Sequence, residues 1–588
     1  MCKTWSLLNT LISKTNYKDS ISSLKVNGIL SSDPLVITNT LNDFFVNIGD
    51  SLASRINPVP TSFESYLKLN HINSLALTPT DPDEIIKIIN ELPNKTSSGH
   101  DDIPLSILKS SIHCISKPLS MIINNSMSYG IFPDPLKIAK ICPIFKSNDK
   151  TDVSNYRPIS LLTSFSKIFE KVIYTRLASY LEYNGILDNA QYGFRKNHST
   201  YMPLLDLYDK ITNASENKEY AIGIFVDLSK AFDTINHTIL VNKLSRYGIR
   251  GVALDLVTSY LSNRKQFVTF KGINSSMRTI TCGVPQGSVL GPLLFLIFIN
   301  DIVNSSRLLH FILFADDTNL FYSCKSLELL LTTVNDELSN LAVWFRANKL
   351  SLNISKTNYI IFGSKHLPSA DLIVKIDEVL LTQVDCTKFL GVLVDAKTTW
   401  KSHIALIAKK ISRGLGAIKR VKRLLPANII LLLYHTMITP YLTYCCIVWG
   451  CASPTNLQKL RVLQKRAIRI ISNAPYRNPS TPLFKKLELL RLDDLITLQT
   501  ALFIYKSKLG LLPKSCSNYL IIANRERLHN TRVFSYFVIP KCRTVLRKNC
   551  ISVRGPTLWN TLPPNLQAAS TITEFKRSMI TFLFAKYT

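Results

Sequence analysis

The chain has 588 residues, 46% of them apolar, and a mean hydropathy of +0.12. At about 150 residues per domain, that supports three or four units with large cores. Its 12 cysteines include no C-x-x-C pair, which excludes a disulfide-built domain and suits reduced core thiols of an intracellular protein; Cys445, Cys446 and Cys451 lack the paired spacing of a zinc knuckle. The net charge of +30 is uneven. Residues 396–588 hold 32 Lys and Arg against 5 Asp and Glu, while residues 1–395 are nearly balanced at +3. A field of that size implies a polyanionic partner, nucleic acid or an anionic membrane surface.

In chain order, "MCKTWSLLNTLISKTNYKDS" has an amphipathic helical pattern and lacks the apolar core of a secretory signal. The first 75 or so residues read as helical and loosely packed, broken around "SRINPVPTSFES". Thr80 or Asp81 then caps a helix carrying Ile85, Ile86, Ile88 and Ile89, and Pro93 stops it. "EYAIGIFVDLSKAFDTI" predicts a buried strand, Ala221 to Val226, that ends at Asp227 and turns into a helix. "RTITCGVPQGSVLGPLLFLIFINDI" predicts a strand, a Gly-rich turn and an apolar helix, and "HFILFADDTNLFY" two strands around a pair of carboxylates. A helix follows with apolar residues at 327, 330, 331, 334, 338, 341 and 345 on one face, then the strand "NYIIFG". Alternating strands and helices indicate an α+β or α/β layer. Beyond about residue 395 the pattern becomes basic and mainly helical. Residues 428–451 have no charged side chain and are long enough to span a membrane, but His435, Pro440 and several Thr and Tyr interrupt them and basic sequence flanks both ends. A buried helix pair is the expectation, and no stable membrane association.

Asp316 and Asp317 stand in the middle of an apolar stretch. A buried carboxylate without a partner is costly, so it pairs, holds a proton or holds a metal. On a continuous strand adjacent side chains face opposite ways, so the two share a site only at a tight hairpin tip. Asp227 ends another apolar strand. If the two strands are neighbours, three carboxylates converge at one sheet edge. Such oxygen ligands suit Mg²⁺, which binds through a few carboxylates together with substrate phosphates. A solvated turn is the competing account of an isolated Asp-Asp pair.

These residues resemble a known family. "FADDTNLF" is similar to the catalytic hairpin of reverse transcriptases, "FVDLSKAFDTINH" to their first catalytic motif, and "GVPQGSVLGPLLFLIFIND" to the motif that meets nucleotide and template. "IFKSNDKTDVSNYRPISLL" and "NAQYGFRKNHST" resemble the fingers motifs, in the family's order and spacing. The version is that of non-LTR, LINE-type retrotransposons, especially the jockey-like groups, from about Leu92 to Asp395, with a weaker match in "YHTMITPYLTYCCIVWG" and "GPTLWNTLP".

The resemblance implies an α+β right-hand polymerase: residues 1–75 a segment joining endonuclease and polymerase, 76–125 an N-terminal extension, 126–394 fingers and palm, and 395–588 a basic thumb and helical region. Asp227, Asp316 and Asp317 would be catalytic and would hold two Mg²⁺ ions, with Mn²⁺ as a substitute. Phe232 would lie under the sugar of the incoming nucleotide, where its ring clashes with a 2′-hydroxyl; a core Phe on the first turn of a helix is the plainer account. Lys146 and Arg157 would grip the triphosphate. Gln286 would contact the nucleotide, with Gly283, Pro285 and Gly287 allowing close backbone approach. Lys356 would protonate the pyrophosphate leaving group, although a strand-edge lysine is usually solvated. Rows such as Lys409, Lys410, Arg413, Lys419 and Arg420 would hold duplex phosphates without reading sequence.

The opening "KTWSLLNTLISK" and "ITNTLNDFFVNIGDSL" resemble the segment after the endonuclease, so the chain is expected to begin beyond that domain. The five acids of residues 396–588 are too few to suggest an RNase H cluster. The expected function is RNA-directed DNA polymerisation on an RNA template with a DNA primer and deoxynucleoside triphosphates, within a nucleus during insertion or a cytoplasmic ribonucleoprotein. The alternative is a catalytically inactive nucleic-acid-binding remnant. The oligomeric state is left open.

Overall fold

The computed structural model describes residues 21–68, 71–363, 373–517, 519–521 and 537–587. The amphipathic pattern expected at residues 1–20 lies outside them. The chain is a mixed α/β structure built around a five-stranded sheet. Its order from one edge is Thr382–Gln383, Asn358–Phe362, Tyr220–Val226, Asp317–Cys324 and His310–Phe314. Tyr220–Val226 lies in the middle and is antiparallel to both neighbours.

Successive side chains on a strand point to opposite faces, and here each face has its own core. Ile222, Ile224 and Val226 enter one core with Leu313, Leu320, Tyr359 and Ile361, and helices from residues 82–347 cover it. Ala221 and Phe225 enter the other with Ile312, Phe321, Ile360 and Phe362, and residues 389–587 supply most of the rest. This explains why "YAIGIFV" is apolar throughout rather than alternating. Gly223 is required there, since an added Cβ would stand 2.8 Å from the Phe362 ring.

A second sheet joins Ile138–Phe145 antiparallel to Tyr156–Leu161 and parallel to Lys265–Phe270. The helix Pro34–Ala53 packs on it through Ile37, Leu41 and Phe45, against Ala139, Ile141 and Val268. Polar contacts fix the same face: Gln266 donates to Asn42 at 3.0 Å, and Arg278 pairs with Asp43 at 2.8 Å. The described part of the first 75 residues is therefore docked, not loosely packed, and it includes a short hairpin, Leu24–Val26 with Ile29–Ser31.

Three further expectations are corrected. The chain does not pass from Asp227 straight into a helix: residues 231–233 form a turn, and the helix begins at His237 behind the Asn236 cap. Phe232 is thus a turn residue. The limit expected at 125 falls inside the helix Ile112–Tyr129, and that at 394 inside the strand Val392–Asp395, so neither separates two cores. Residues 428–451 form three short helices, Ala427–Met437, Thr439–Thr443 and Cys446–Trp449, rather than two. Among the described residues no helix is long and apolar enough to cross a membrane. At the earlier cap, Asp81 accepts from Glu84 N–H at 2.8 Å, which settles Thr80 against Asp81.

Candidate active site

The registry of the central sheet brings the acidic residues together. Thr318 pairs with Val226, so one residue further along each strand come Asp317 and Asp227. Phe314 pairs with Asp317, leaving Ala315 and Asp316 as a two-residue hairpin turn. Only Asp316 is at the tip; Asp317 already begins the returning strand. Ala315 has φ 55°, the positive angle that a tight hairpin needs at its first central residue.

That turn is braced from behind by a segment whose role was not legible from residue type. Gln191 Oε1 accepts from Ala315 N–H at 2.9 Å and from Gly193 N–H at 2.7 Å. Tyr192 N–H donates to the Leu313 carbonyl at 2.8 Å, and Leu313 N–H to the Ala190 carbonyl at 2.9 Å. An added Cβ on Gly193 would stand 2.3 Å from the Ala315 nitrogen, so only glycine permits this approach. The only signal for Gln191 was its place in "NAQYGFR".

The acidic groups repel one another. Burial pushes the Asp317 carboxyl up to about 6, with Asp316 and then Asp227 adding to it. Asp316 is also raised, first by burial and then by Asp227; its own backbone N–H, Arg157 and Lys146 pull the other way. Both residues still reach water. Cations face them. Lys356 Nζ is 4.0 Å from Asp227 Oδ2, and Lys356 lies in the turn before Asn358–Phe362 rather than on a strand edge. Lys146 is lowered by burial and by its neighbours Arg157 and Lys356, while Asp227 and Asp316 oppose the shift. Lys146 directly follows the strand Ile138–Phe145, and Arg157 is the second residue of Tyr156–Leu161, paired with Ile144 in the register of the two strands.

Excess negative charge at the sheet edge, with cations around it, fits an ion that neutralises carboxylates and phosphates together. Among the described residues no three acidic, imidazole or thiol groups stand close enough to hold a metal by themselves.

Phe232 and Gln286 lie in two segments joined by a backbone hydrogen bond, from Val284 N–H to the Phe232 carbonyl at 2.9 Å. The Phe232 ring stacks on Phe295 at 4.7 Å and meets Phe194 edge-on at 6.4 Å. Gln286 sits in a loop held from two directions: Ser160 N–H donates to its carbonyl at 2.8 Å, and its side chain donates to Asp233 at 2.9 Å. Gly287, at φ 120°, makes its close approach to the Ser160 carbonyl, which an added Cβ would meet at 2.7 Å. Gly283, at φ 81°, makes its own to Asp233. Both glycines make close approaches within the protein, as residues of a tight turn do. Further along, the buried Glu170 accepts from the N–H groups of Val289 and Leu290 at 2.5 and 3.1 Å, pinning the start of the helix Gly291–Ile299. Sequence reasoning assigned nothing to Glu170 or Asp233.

Residues 146–394 match the family described as Reverse transcriptase (RNA-dependent DNA polymerase). The chain is 30% identical over 480 residues to a probable RNA-directed DNA polymerase from transposon BS of Drosophila melanogaster, covering 79% of this chain and 52% of that one. It is 30% identical over 497 residues to the RNA-directed DNA polymerase from mobile element jockey of the same organism, covering 81% and 53%. A probable RNA-directed DNA polymerase from its transposon X-element is 29% identical over 429 residues, covering 71% and 47%. The chain spans about half the length of these relatives. The motif order, the sheet registry and these matches agree: residues 146–394 form a reverse transcriptase domain, and the chain is similar to the polymerases of the transposon BS and mobile element jockey.

Proposed function

We propose that this chain is an RNA-directed DNA polymerase that extends a primer 3′-hydroxyl with deoxynucleotides on an RNA template during retrotransposon replication. The observation that carries the reading is the convergence of Asp227, Asp316 and Asp317 at one sheet edge, faced by Lys146, Arg157 and Lys356. In this account the central sheet and its helices form the palm, the Ile138–Phe145 and Tyr156–Leu161 strands belong to the fingers, and residues 395–588 act as a basic thumb.

Asp227 and Asp316 would hold two Mg²⁺ ions, with Mn²⁺ as a substitute, and Asp317 would complete the set. When bound, such ions neutralise charge on the attacking and leaving oxygens of an in-line phosphoryl transfer. The protein does the positioning. Lys146 and Arg157 donate charge-assisted hydrogen bonds to the triphosphate, which fixes the reacting phosphate before transfer. Lys356, beside Asp227, supplies a proton to the departing pyrophosphate. Phe232, held between Phe295 and Phe194, offers a rigid ring beneath the sugar and rejects a 2′-hydroxyl sterically. Gln286 contacts the nucleotide from the loop hydrogen-bonded to the Phe232 turn. The excess of Lys and Arg in residues 396–588 grips template–primer phosphates, so affinity falls with salt.

Primer extension on primed poly(rA) with deoxythymidine triphosphate and Mg²⁺ tests the reading. Wild-type extension that is lost in Asp316→Ala supports it. If neither protein extends the primer while both bind it in a salt-sensitive way, the chain is a binding remnant and the polymerase reading fails.

A further inference from the structure

The turn after Asp227 and the loop carrying Gln286 are laced together around one buried carboxylate. Gly283 N–H donates to the Ile235 carbonyl at 2.8 Å, and Val284 N–H to the Phe232 carbonyl at 2.9 Å. Between these contacts lies Asp233. Its Oδ1 accepts from Gln286 Nε2 at 2.9 Å, while its Oδ2 is buried without a protein partner. A cavity of about 30 Å³ is lined by Asp233, Arg264, Gln266 and Gln286, room enough for ordered water. Arg264 is buried there too, with Nε and Nη2 unpaired to protein. Water in this cavity can serve the free carboxylate oxygen and the free guanidinium nitrogens together.

A carboxamide has an accepting end and a donating end, and a half-turn exchanges them. An ionised carboxylate only accepts, so it takes the amino end and refuses the carbonyl end. Burial opposes ionisation of Asp233, while Gln286 and Lys230 favour it. We propose that Asp233 is a positioning residue that locks the Gln286 carboxamide by its amino end, leaving the carbonyl Oε1 to accept from a hydrogen-bond donor on the incoming nucleotide. The inference rests on reading Gln286 as a nucleotide contact. It adds the direction of that contact: Gln286 selects a donor, either a sugar hydroxyl or an N–H of the base. Asp233 lies six residues beyond Asp227, outside the acidic cluster, and acts only through Gln286.

The test is steady-state insertion of deoxythymidine triphosphate on primed poly(rA) by wild type, Asp233→Ala, Asp233→Asn, Gln286→Ala and the double variant Asp233→Ala/Gln286→Ala. Losing one oriented hydrogen bond raises KM about tenfold in each alanine variant, with kcat little changed. The double variant should then match Gln286→Ala alone. Asp233→Asn, which fills the same space but presents either end of its own amide, should lie between wild type and Asp233→Ala. If Asp233→Ala fails to fold, the asparagine variant carries the test. Repeating the insertion with dideoxythymidine triphosphate, and with dideoxyguanosine triphosphate on primed poly(rC), locates the donor. An effect that vanishes with both assigns it to the 3′-hydroxyl. One that persists only with guanine, whose second amino N–H is free of the base pair, assigns it to the base, and one that persists with thymine, whose single N–H is paired, overturns the proposal. Wild-type KM in both Asp233 variants, with a raised KM in Gln286→Ala, overturns the proposal and leaves the nucleotide contact standing. An additive double variant, about a hundredfold in KM, also overturns it. Wild-type KM in Gln286→Ala removes the contact itself and the proposal with it, as does a wild type that inserts nothing.

Discussion

Asp233 also gives the molecule a measurable pH signature. Burial pushes its carboxyl up to about 6 from the ordinary 3.8. Between about pH 4 and 6 the native state therefore keeps a proton that the unfolded chain has released, and stability falls as pH rises through that window. Two pKa units correspond to on the order of 3 kcal/mol. Asp233→Asn cannot titrate there, so its unfolding free energy should gain on the wild type by up to that amount between the two pH values, measured by urea titration. Curves that stay parallel would mean that the carboxyl titrates normally. Glu170, Asp316 and Asp317 are raised as well, which makes the difference between the two proteins, not the wild-type curve, the quantity to read. At this scale Asp227, Asp316 and Asp317 were legible because charge inside an apolar run is anomalous on its face. Glu170 and Asp233 were not, because an acidic residue on a helix or in a turn is ordinary until its distant partner is known.

Among the elements, the acidic hairpin is the one whose shape depends most on a neighbour. The strands on either side of Ala315 and Asp316 follow from "HFILF" and "LFY", but the pose of the turn is set by Gln191 and Gly193. Gly193→Ala puts a carbon against the Ala315 nitrogen, so the hairpin or the bracing segment must shift by several tenths of an ångström. Misplacement of that size should reduce primer extension by about a hundredfold while the far-ultraviolet circular dichroism stays native. Extension at the wild-type rate would show that the brace does not set the position of Asp316. The helix expected immediately after Asp227 failed for a related reason. The residues "SKAFDT" carry no helix-breaking signal, yet the backbone of 232 and 235 is engaged by residues 283 and 284, and that pairing holds a turn in place.

For the whole molecule, the sheet ties the C-terminal third to the centre of the chain. Helix Tyr201–Glu216 carries Asp209, whose Oδ1 accepts from Arg547 Nη1 at 2.7 Å and from Ser552 Oγ at 3.1 Å. Glu216 caps the same returning segment through the Thr544 hydroxyl at 2.6 Å. Asp209→Ala leaves a half-buried arginine without its carboxylate and should cost roughly 2–4 kcal/mol. Because one core spans residues 192–587, that loss should appear as a shift of a main unfolding transition in denaturant. A separate early transition, confined to the C-terminal segment, would show that the segment unfolds independently.

The sequence by itself determined the local chemistry and the family resemblance. Apolar runs specify the strands, capping residues and prolines bound the helices, and the order of five motifs carries the resemblance to the reverse transcriptase family that the match over residues 146–394 bears out. Those signals depend only on neighbours along the chain. Tertiary structure decided what lies across from what: which strands pair, which glycines are pressed against a distant backbone, and which carboxylates are buried against a partner. Asp233 and Gln286 are 53 positions apart and Gln191 and Ala315 are 124 apart. No periodicity or propensity carries information over such spans, because burial and hydrogen bonding between distant segments arise only when the cores on both faces of the sheet close.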